Sequence, residues 1–284
     1  MIIWLASYPK SGNTWVRSFL ASLLYEKKNE EILSAISNIA QYPLRSHFKN
    51  LVSNIDDIKE VSSNWSQSQS LINSDKKIKF FKTHHALIKI GNSNFTTYDN
   101  SLGAIHIVRD PRNVISSVLY HYSKKNYLEA KEFLFDENRS LGKKFNPKSQ
   151  DVNKDMFTII TSWKTHYNSW KNFKKNYLLI KYENLVSEPE KEFRKISNYI
   201  SELINLKIED KKIELAIKSN EFENLKRIEK KDGFNEAVKN KETGEIKQFF
   251  NLGPNNKWEN LLDLKTRKEI ETKFKNEMEE LGYL

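Results

Sequence analysis

Residues 5–17 read LASYPKSGNTWVR, and we interpret the rest of the chain as organised around them. The apolar run from Ile2 to Ala6 predicts a buried strand, and the apolar periodicity from Trp15 to Tyr25 predicts a helix. A polar turn joins the two. Because a helix start leaves backbone N–H groups unpaired and carries partial positive charge, this turn, with Lys10 in it, suits an anion. Taken alone, the segment is equally compatible with an ordinary strand-turn-helix that has a surface lysine.

The turn differs from the P-loop of nucleoside triphosphatases. That loop has two glycines followed directly by Lys-Ser/Thr, whereas here Gly12 stands alone and Lys10 precedes it. The sequence therefore predicts phosphate binding without a Walker A loop. It disfavours a nucleotide or sugar kinase, which would need the Walker lysine and a Mg²⁺-holding hydroxyl after the second glycine.

The composition excludes several classes of protein. The 284 residues include no cysteine, which removes disulfides, thiolate zinc sites and cysteine nucleophiles and is typical of a cytoplasmic protein. No apolar run approaches the roughly 20 residues of a membrane span, and no cleavable signal is expected. The formal net charge of +10 favours a polyanionic partner. The lysines are interleaved with acids, however, and no nucleic-acid-binding motif accompanies them, so nucleic acid is not the predicted partner.

Strands alternate with helices along the chain, which predicts a single α/β domain over residues 1–284 with a mostly parallel sheet. Ligands collect at the carboxyl ends of such strands. Four residues lie at or just after predicted strand ends: Tyr8, His84, Arg109 and Tyr182. The further predicted strands are 78–83, 104–108 and 177–182, and the further helices are 114–125, 156–173, 188–204, 210–221 and 264–281. The polar segments 26–77 and 126–150 are predicted to be substrate-side insertions or a lid.

Residues 8–15 resemble the 5′-phosphosulfate loop of sulfotransferases that use 3′-phosphoadenosine 5′-phosphosulfate (PAPS), with Asn13 in place of a threonine. The resemblance implies a sulfotransferase fold like that of the P-loop NTPases, PAPS as co-substrate, 3′-phosphoadenosine 5′-phosphate (PAP) as product, and no metal. It implies in-line transfer of a sulfuryl group to a hydroxyl or amine. The implied contacts to the phosphosulfate come from Lys10, Ser11, Gly12, Asn13, Thr14 and Trp15.

A second segment, residues 81–84, resembles the Lys-Thr-His motif in which the family places its general base. An acceptor hydroxyl is a poor nucleophile, and a histidine with a pKa near 6.5 can take its proton. The resemblance therefore implies that His84 is the base, that Lys10 neutralises charge on the bridging oxygen and that Lys82 assists at the transferred group. His85 replaces the usual leucine, and since side chains alternate along extended chain, the two histidine rings are predicted to point apart.

Further segments resemble the parts of the family that hold the nucleotide. Arg109 and Ser117 have the spacing of the pair that binds the 3′-phosphate. Tyr182 and Phe222 stand in motifs that contact the adenine, and Trp15 and Phe222 could sandwich a purine or belong to the core. A tryptophan-containing helix motif at 162–170 also matches, and its tryptophans are interpreted as core residues.

The main departure lies at residues 251–260, NLGPNNKWEN, where the family reads Arg-Lys-Gly-x-x-Gly-x-Trp-Lys-Asn. Gly253 is retained and assigned to the nucleotide site. Asn251 and Leu252 replace the two cations that the family uses on the 3′-phosphate. We hypothesise that Arg227 compensates, with Arg112 and Lys247 as alternatives. A homologue that binds nucleotide without turnover is the remaining alternative function.

The acceptor pocket and the oligomeric state are predicted from the parts of the chain that differ most from the family. The least family-like segments, together with His85, are predicted to form the acceptor pocket, for a small molecule or a glycan. Glu259 and Lys268 stand where many cytosolic members have a dimer contact, but with the two charges exchanged. Two surface charges on a helix are the simpler interpretation, so a monomer or a weak homodimer is predicted.

Overall fold

The computed structural model describes residues 1–25, 32–142, 156–240 and 243–284, so the segments predicted at 26–77 and 126–150 lie partly outside it. The strands are β1 (Ile2–Ser7), β2 (Lys79–Thr83), β3 (Lys89–Ile90), β4 (Ser93–Asn94), β5 (Ser101–Val108), β6 (Ser140–Leu141), β7 (Thr158–Ile159) and β8 (Tyr177–Lys181). The helices are α1 (Asn13–Leu24), α2 (Ile32–Ala35), α3 (Ile58–Ser63), α4 (Trp65–Ile72), α5 (Pro111–His121), α6 (Tyr127–Phe135), α7 (Trp163–Lys171), α8 (Tyr182–Ser187), α9 (Pro189–Ile204), α10 (Asp210–Ser219), α11 (Phe222–Asp232), α12 (Trp258–Leu261), α13 (Leu264–Lys273) and α14 (Lys275–Glu280).

The central sheet has the strand order β2-β1-β5-β8. Strand β1 pairs in parallel with β2 on one side and with β5 on the other, and Trp4 lies opposite Phe81 and Ala104. Every residue of β1 is buried, which is the burial expected of a central strand in a sheet covered on both faces. The predicted α/β class, with a central parallel sheet flanked by helices, is confirmed. The pairs β3-β4 and β6-β7 are short antiparallel ribbons.

By its internal contacts the chain divides into two compact units. The first contains residues 1–8, 40–107 and 136–179. Its core is aromatic: Trp4 packs at 5.5 Å from Tyr42 and at 6.3 Å from Trp170, measured between ring centroids. Part of the predicted insertion thus contributes to this core. That residues 1–284 form one domain, and that the polar segments form a lid, stay predictions.

The second unit contains residues 9–39, 108–135 and 180–284. Helix α1 is packed there through Phe19, which stacks on Phe193 with 4.3 Å between ring centroids. Trp15 lies at 5.6 Å from the same ring and donates from its indole N–H to the Asn220 carbonyl at 2.7 Å. Trp15 is therefore packed within this unit with little exposed surface, 7%.

The two largest differences from the predicted elements concern helices. The helix predicted over 156–173 begins only at Trp163, because β7 pairs with β6 and Ser162 caps the helix by accepting from the Thr165 N–H. The helix predicted over 264–281 is divided at Phe274, which is fully buried. Helix α6 lies at the start of the predicted 126–150 insertion.

Candidate active site

The turn between β1 and α1 has the backbone geometry of an anion-binding loop. Lys10 and Gly12 are both left-handed, with φ of 68° and 99°, and such residues in a turn direct successive N–H groups to one side. A Cβ at Gly12 would lie 2.6 Å from the ring of Tyr182, so conformation and space both require glycine here. The N-cap residue of α1 is Gly12, which has no side chain with which to cap the helix, and a bound anion could serve as that cap.

Ser11 gives the strongest indication that this loop takes a ligand. Its side chain is fully buried, and its Oγ has no hydrogen-bond partner within the described parts of the chain. A buried hydroxyl without a partner costs about 1–3 kcal/mol. An anionic oxygen in the turn would supply the missing acceptor.

Lys10 is positioned by contacts from two directions. Its carbonyl accepts from Arg109 Nη1 at 3.1 Å, and its Nζ lies 4.1 Å from the centroid of the Phe249 ring. The carboxylate of Glu229 accepts from the backbone N–H groups of Phe249 and Phe250 at 2.5 and 2.9 Å. Glu229 thus fixes the segment on which the Lys10 ammonium rests, a role that no sequence motif indicated.

Three residues predicted to bind the nucleotide lie together in the second unit. Arg109 follows β5, is only 6% exposed, and donates from Nη1 to Ser117 Oγ at 3.3 Å. The Arg109 guanidinium carbon lies 4.0 Å from the centroid of the Tyr182 ring. Asn256, which the sequence did not single out, joins them by donating to Ser117 Oγ at 3.0 Å. The result is a buried cation beside a hydroxyl, the donor set that a phosphate requires.

Phe222 and Gly253 also lie together. Gly253 has φ of 52°, and a Cβ there would lie 2.1 Å from Phe222 Cζ. The Phe222 ring is half-buried and meets Phe250 edge-on at 6.1 Å between centroids. Gly253 is therefore needed because its loop lies so close to the Phe222 ring, which is predicted to contact the adenine.

The three candidates for a compensating cation have different surroundings. Arg112 is paired with two carboxylates, each at 2.7 Å, and its charge is already balanced. Lys247 donates to the Tyr120 carbonyl at 2.8 Å. Arg227 is exposed on α11 and donates to Asn224 Oδ1 at 2.7 Å. Its role at the 3′-phosphate stays a prediction.

The predicted base, His84, belongs to the first unit and directly follows β2. Its Nδ1 lies 2.8 Å from the Ser7 carbonyl oxygen and 3.3 Å from Ser7 Oγ. Because a carbonyl can only accept, Nδ1 carries the proton in the neutral ring, and Nε2 is the basic nitrogen. Lys82 lies in β2, two residues before His84, and its carbonyl accepts from the Tyr42 N–H at 2.9 Å. The tautomer of His84 is therefore the one that a general base needs.

His85 lies in different surroundings. Its ring is fully buried and stacks on Phe95 with 4.2 Å between centroids, and its Nδ1 donates to the Ala86 carbonyl at 2.7 Å. Burial lowers its pKa to about 4. The expectation that His85 lines an acceptor pocket is wrong, because it is a core residue. That the two histidine rings point apart stays a prediction.

Glu236 was also missed from the sequence. It accepts from Thr14 Oγ1 at 3.1 Å and from Arg17 Nη1 at 2.6 Å, and Arg17 is 5% exposed. The Thr14 hydroxyl, which the resemblance assigns to the phosphosulfate, therefore donates to the Glu236 carboxylate instead. Its sequence separation from Thr14, 222 residues, explains why no local pattern revealed it.

Neither a metal-binding cluster nor a membrane-spanning helix occurs among the described residues. Within them, no group of three or more His, Asp or Glu side chains could hold a metal ion. Across the same residues, no helix is both long enough and apolar enough to span a bilayer.

Comparison with known proteins gave consistent matches. A family model described as "Sulfotransferase domain" matches residues 2–282. Cytosolic sulfotransferase 13 of Arabidopsis thaliana is 25% identical over 275 residues, covering 96% of this chain and 76% of the relative. A mouse sulfotransferase solved with PAP has a TM-score of 0.57 at 19% identity, covering 97% of this chain and 83% of its own. A retinol dehydratase solved with retinol and PAP has a TM-score of 0.59 at 17% identity, covering 98% and 81%.

Proposed function

The chain belongs to the sulfotransferase family, and from this premise we propose that it transfers a sulfuryl group from PAPS to a hydroxyl or amine by in-line displacement. Membership confirms the resemblance seen in the motifs and removes the kinase alternative. The observation that carries the proposal is the buried Ser11 hydroxyl, which has no partner in the described chain and lies in a turn with two left-handed residues.

The residues of the second unit fit this nucleotide. The turn at 10–15 would hold the 5′-phosphosulfate, because its backbone donors, its lysine and the Ser11 hydroxyl all complement negative charge. Arg109 and Ser117 would hold the 3′-phosphate through charge-assisted hydrogen bonds. Tyr182 and Phe222 would contact the adenine. That solved relatives of the same fold bind PAP supports this assignment.

When bound, PAPS supplies the activated sulfuryl group, and the chain supplies a base and positive charge. His84 would take the acceptor proton at Nε2, and the Ser7 carbonyl would stabilise the resulting imidazolium through Nδ1–H. Lys10 would neutralise charge that develops toward the leaving phosphate, and Lys82 would act at the transferred group. Positioning and electrostatics then account for the catalysis, as in phosphoryl transfer.

The acceptor is proposed to be a small molecule, which the retinol bound by one solved relative supports. A glycan is the alternative that the sequence left open. A cytoplasmic location is proposed from the lack of cysteine and the cytosolic relative. The chain is proposed to act as a monomer or weak homodimer, since Glu259 and Lys268 are both exposed.

The test is transfer of labelled sulfate from PAPS to a panel of alcohols, phenols, amines and sugars. Wild type should sulfate at least one acceptor. His84→Ala should lose at least about a hundredfold in rate, the typical contribution of a general base, while binding PAP as tightly as wild type. A variant that keeps the parental rate would remove His84 from the mechanism. PAP binding by a wild type that is inactive on every acceptor would favour the non-catalytic homologue.

A further inference from the structure

We propose that Asn256 is a positioning residue that fixes the Ser117 hydroxyl as a hydrogen-bond donor and so favours nucleotides that have a 3′-phosphate. This inference rests on the proposed function, because it concerns the site where that phosphate would bind. Asn256 stands at the second glycine of the family motif. Its side chain is therefore an addition that the resemblance does not explain.

The Asn256 side chain is only 6% exposed, and all of its polar atoms are used. Its Nδ2 donates to Ser117 Oγ at 3.0 Å and to the Asn113 carbonyl at 2.9 Å, and its Oδ1 accepts from Ser116 Oγ at 2.7 Å. Because the Asn113 carbonyl cannot donate, the amide group has only this orientation. The donor that faces Ser117 is therefore fixed.

Ser117 consequently has both of its lone pairs engaged. Its Oγ accepts from Asn256 Nδ2 and also from Arg109 Nη1, at 3.3 Å. A hydroxyl has two acceptor sites and one donor, so only its proton remains. That proton points to the Asn113 carbonyl, but the distance from Ser117 Oγ to that oxygen is 3.4 Å, which is long for an O–H···O bond. The same carbonyl also accepts from Asn256. An anionic oxygen would be a shorter and stronger acceptor.

This arrangement occurs in a chain that lacks the two cations of the family motif. Asn251 and Leu252 stand in their place, and Leu252 is 40% exposed. Without those charges, more of the recognition of a 3′-phosphate falls on Arg109 and Ser117. A hydroxyl that is held as a donor favours a ligand with an anionic group at this position. A ligand without that group would leave the hydroxyl proton poorly paired and would bind more weakly.

The experiment is calorimetric titration with PAP and with adenosine 5′-monophosphate, which lacks the 3′-phosphate. The carboxylate introduced by Asn256→Asp would accept the Ser117 proton and place negative charge beside the phosphate. We expect it to weaken PAP binding about tenfold to hundredfold and to change monophosphate binding by less than about threefold. Asn255→Asp, an exposed change one residue away, should preserve the ratio of the two affinities.

Asn256→Ala provides a second measure if the aspartate variant does not fold. It should lower the PAP preference of wild type, but should have no further effect on that preference in a Ser117→Ala background, because the two residues act through one hydroxyl. Equal weakening for both nucleotides, or additive effects in the double variant, would show a merely structural role and overturn the inference. A wild type that does not bind PAP would overturn the proposed function as well, so the two failures are distinguishable.

Discussion

The buried histidines of the first unit predict that the protein loses stability in mild acid. His85 and His166 are fully buried, and burial lowers their pKa values to about 4 and about 3. Burial also lowers the pKa of His106 well below its usual range. The unfolded chain binds protons at these positions below about pH 6.5, whereas the folded chain keeps the rings neutral. The contribution of these neutral rings to the stability of the fold is therefore complete above pH 6.5. It is lost as the pH falls toward the pKa values of the folded state.

The magnitude follows from these pKa differences. Each unit of pH below 6.5 costs about 1.4 kcal/mol per histidine that stays neutral in the folded state. Going from pH 7 to pH 5 should thus lower the free energy of unfolding by about 2 kcal/mol for His85 and by about as much for His166. The sum, about 4 kcal/mol, is a large part of the roughly 5–15 kcal/mol that stabilises a typical domain. His106 acts in the same direction.

Urea unfolding followed by circular dichroism at pH 7 and pH 5 measures this loss. His85→Leu, which inserts the residue usual in the family, should lose about 2 kcal/mol less than wild type between the two values. Ile2→Val is the control, because it removes buried apolar volume from the same core without touching a titrating group. It should lower the stability at both pH values and leave the difference between them unchanged. If His85→Leu showed the full wild-type loss, the reasoning would be refuted.

Three substitutions test the second unit. Gly12→Ala should abolish PAP binding and cost at least about 1–2 kcal/mol of stability, because residue 12 is left-handed and its Cβ would lie 2.6 Å from Tyr182. Gly91→Ala is the control: Gly91 is also left-handed but has no neighbour within 4 Å, so this variant should bind PAP as wild type does. Glu236→Gln should tighten PAP binding in calorimetry, because it removes negative charge beside the loop, and unchanged or weaker affinity would contradict this. Arg227→Ala should raise the KM for PAPS, and a parental KM would eliminate Arg227 as the compensating cation.

The elements that carry the loop could be predicted because their signals are local. An apolar run before a polar turn identified β1, and the following periodicity identified α1. The same logic placed His84 after β2 and Arg109 after β5, as the structure has them. Motifs of this kind consist of residues that are neighbours in the sequence.

Other features depend on contacts that no local pattern reveals. Glu236 reaches Thr14 across 222 residues, and Asn256 reaches Ser117 across 139. The burial of His85 depends on the ring of Phe95, which follows after two short strands. The Ser162 cap of α7, in contrast, has a local signal, because a serine directly before an apolar periodic run is typical of a helix start.

We infer that the turn between β1 and α1 is the sulfonate end of a PAPS site. Calorimetric titration of the wild-type protein with PAP, repeated with Lys10→Ala, tests it most directly. Wild type should bind one PAP per chain saturably, and the variant should bind it clearly more weakly, because Lys10 lies in the loop that would hold the 5′-phosphate. No binding by wild type, or equal affinity in the two proteins, would contradict it.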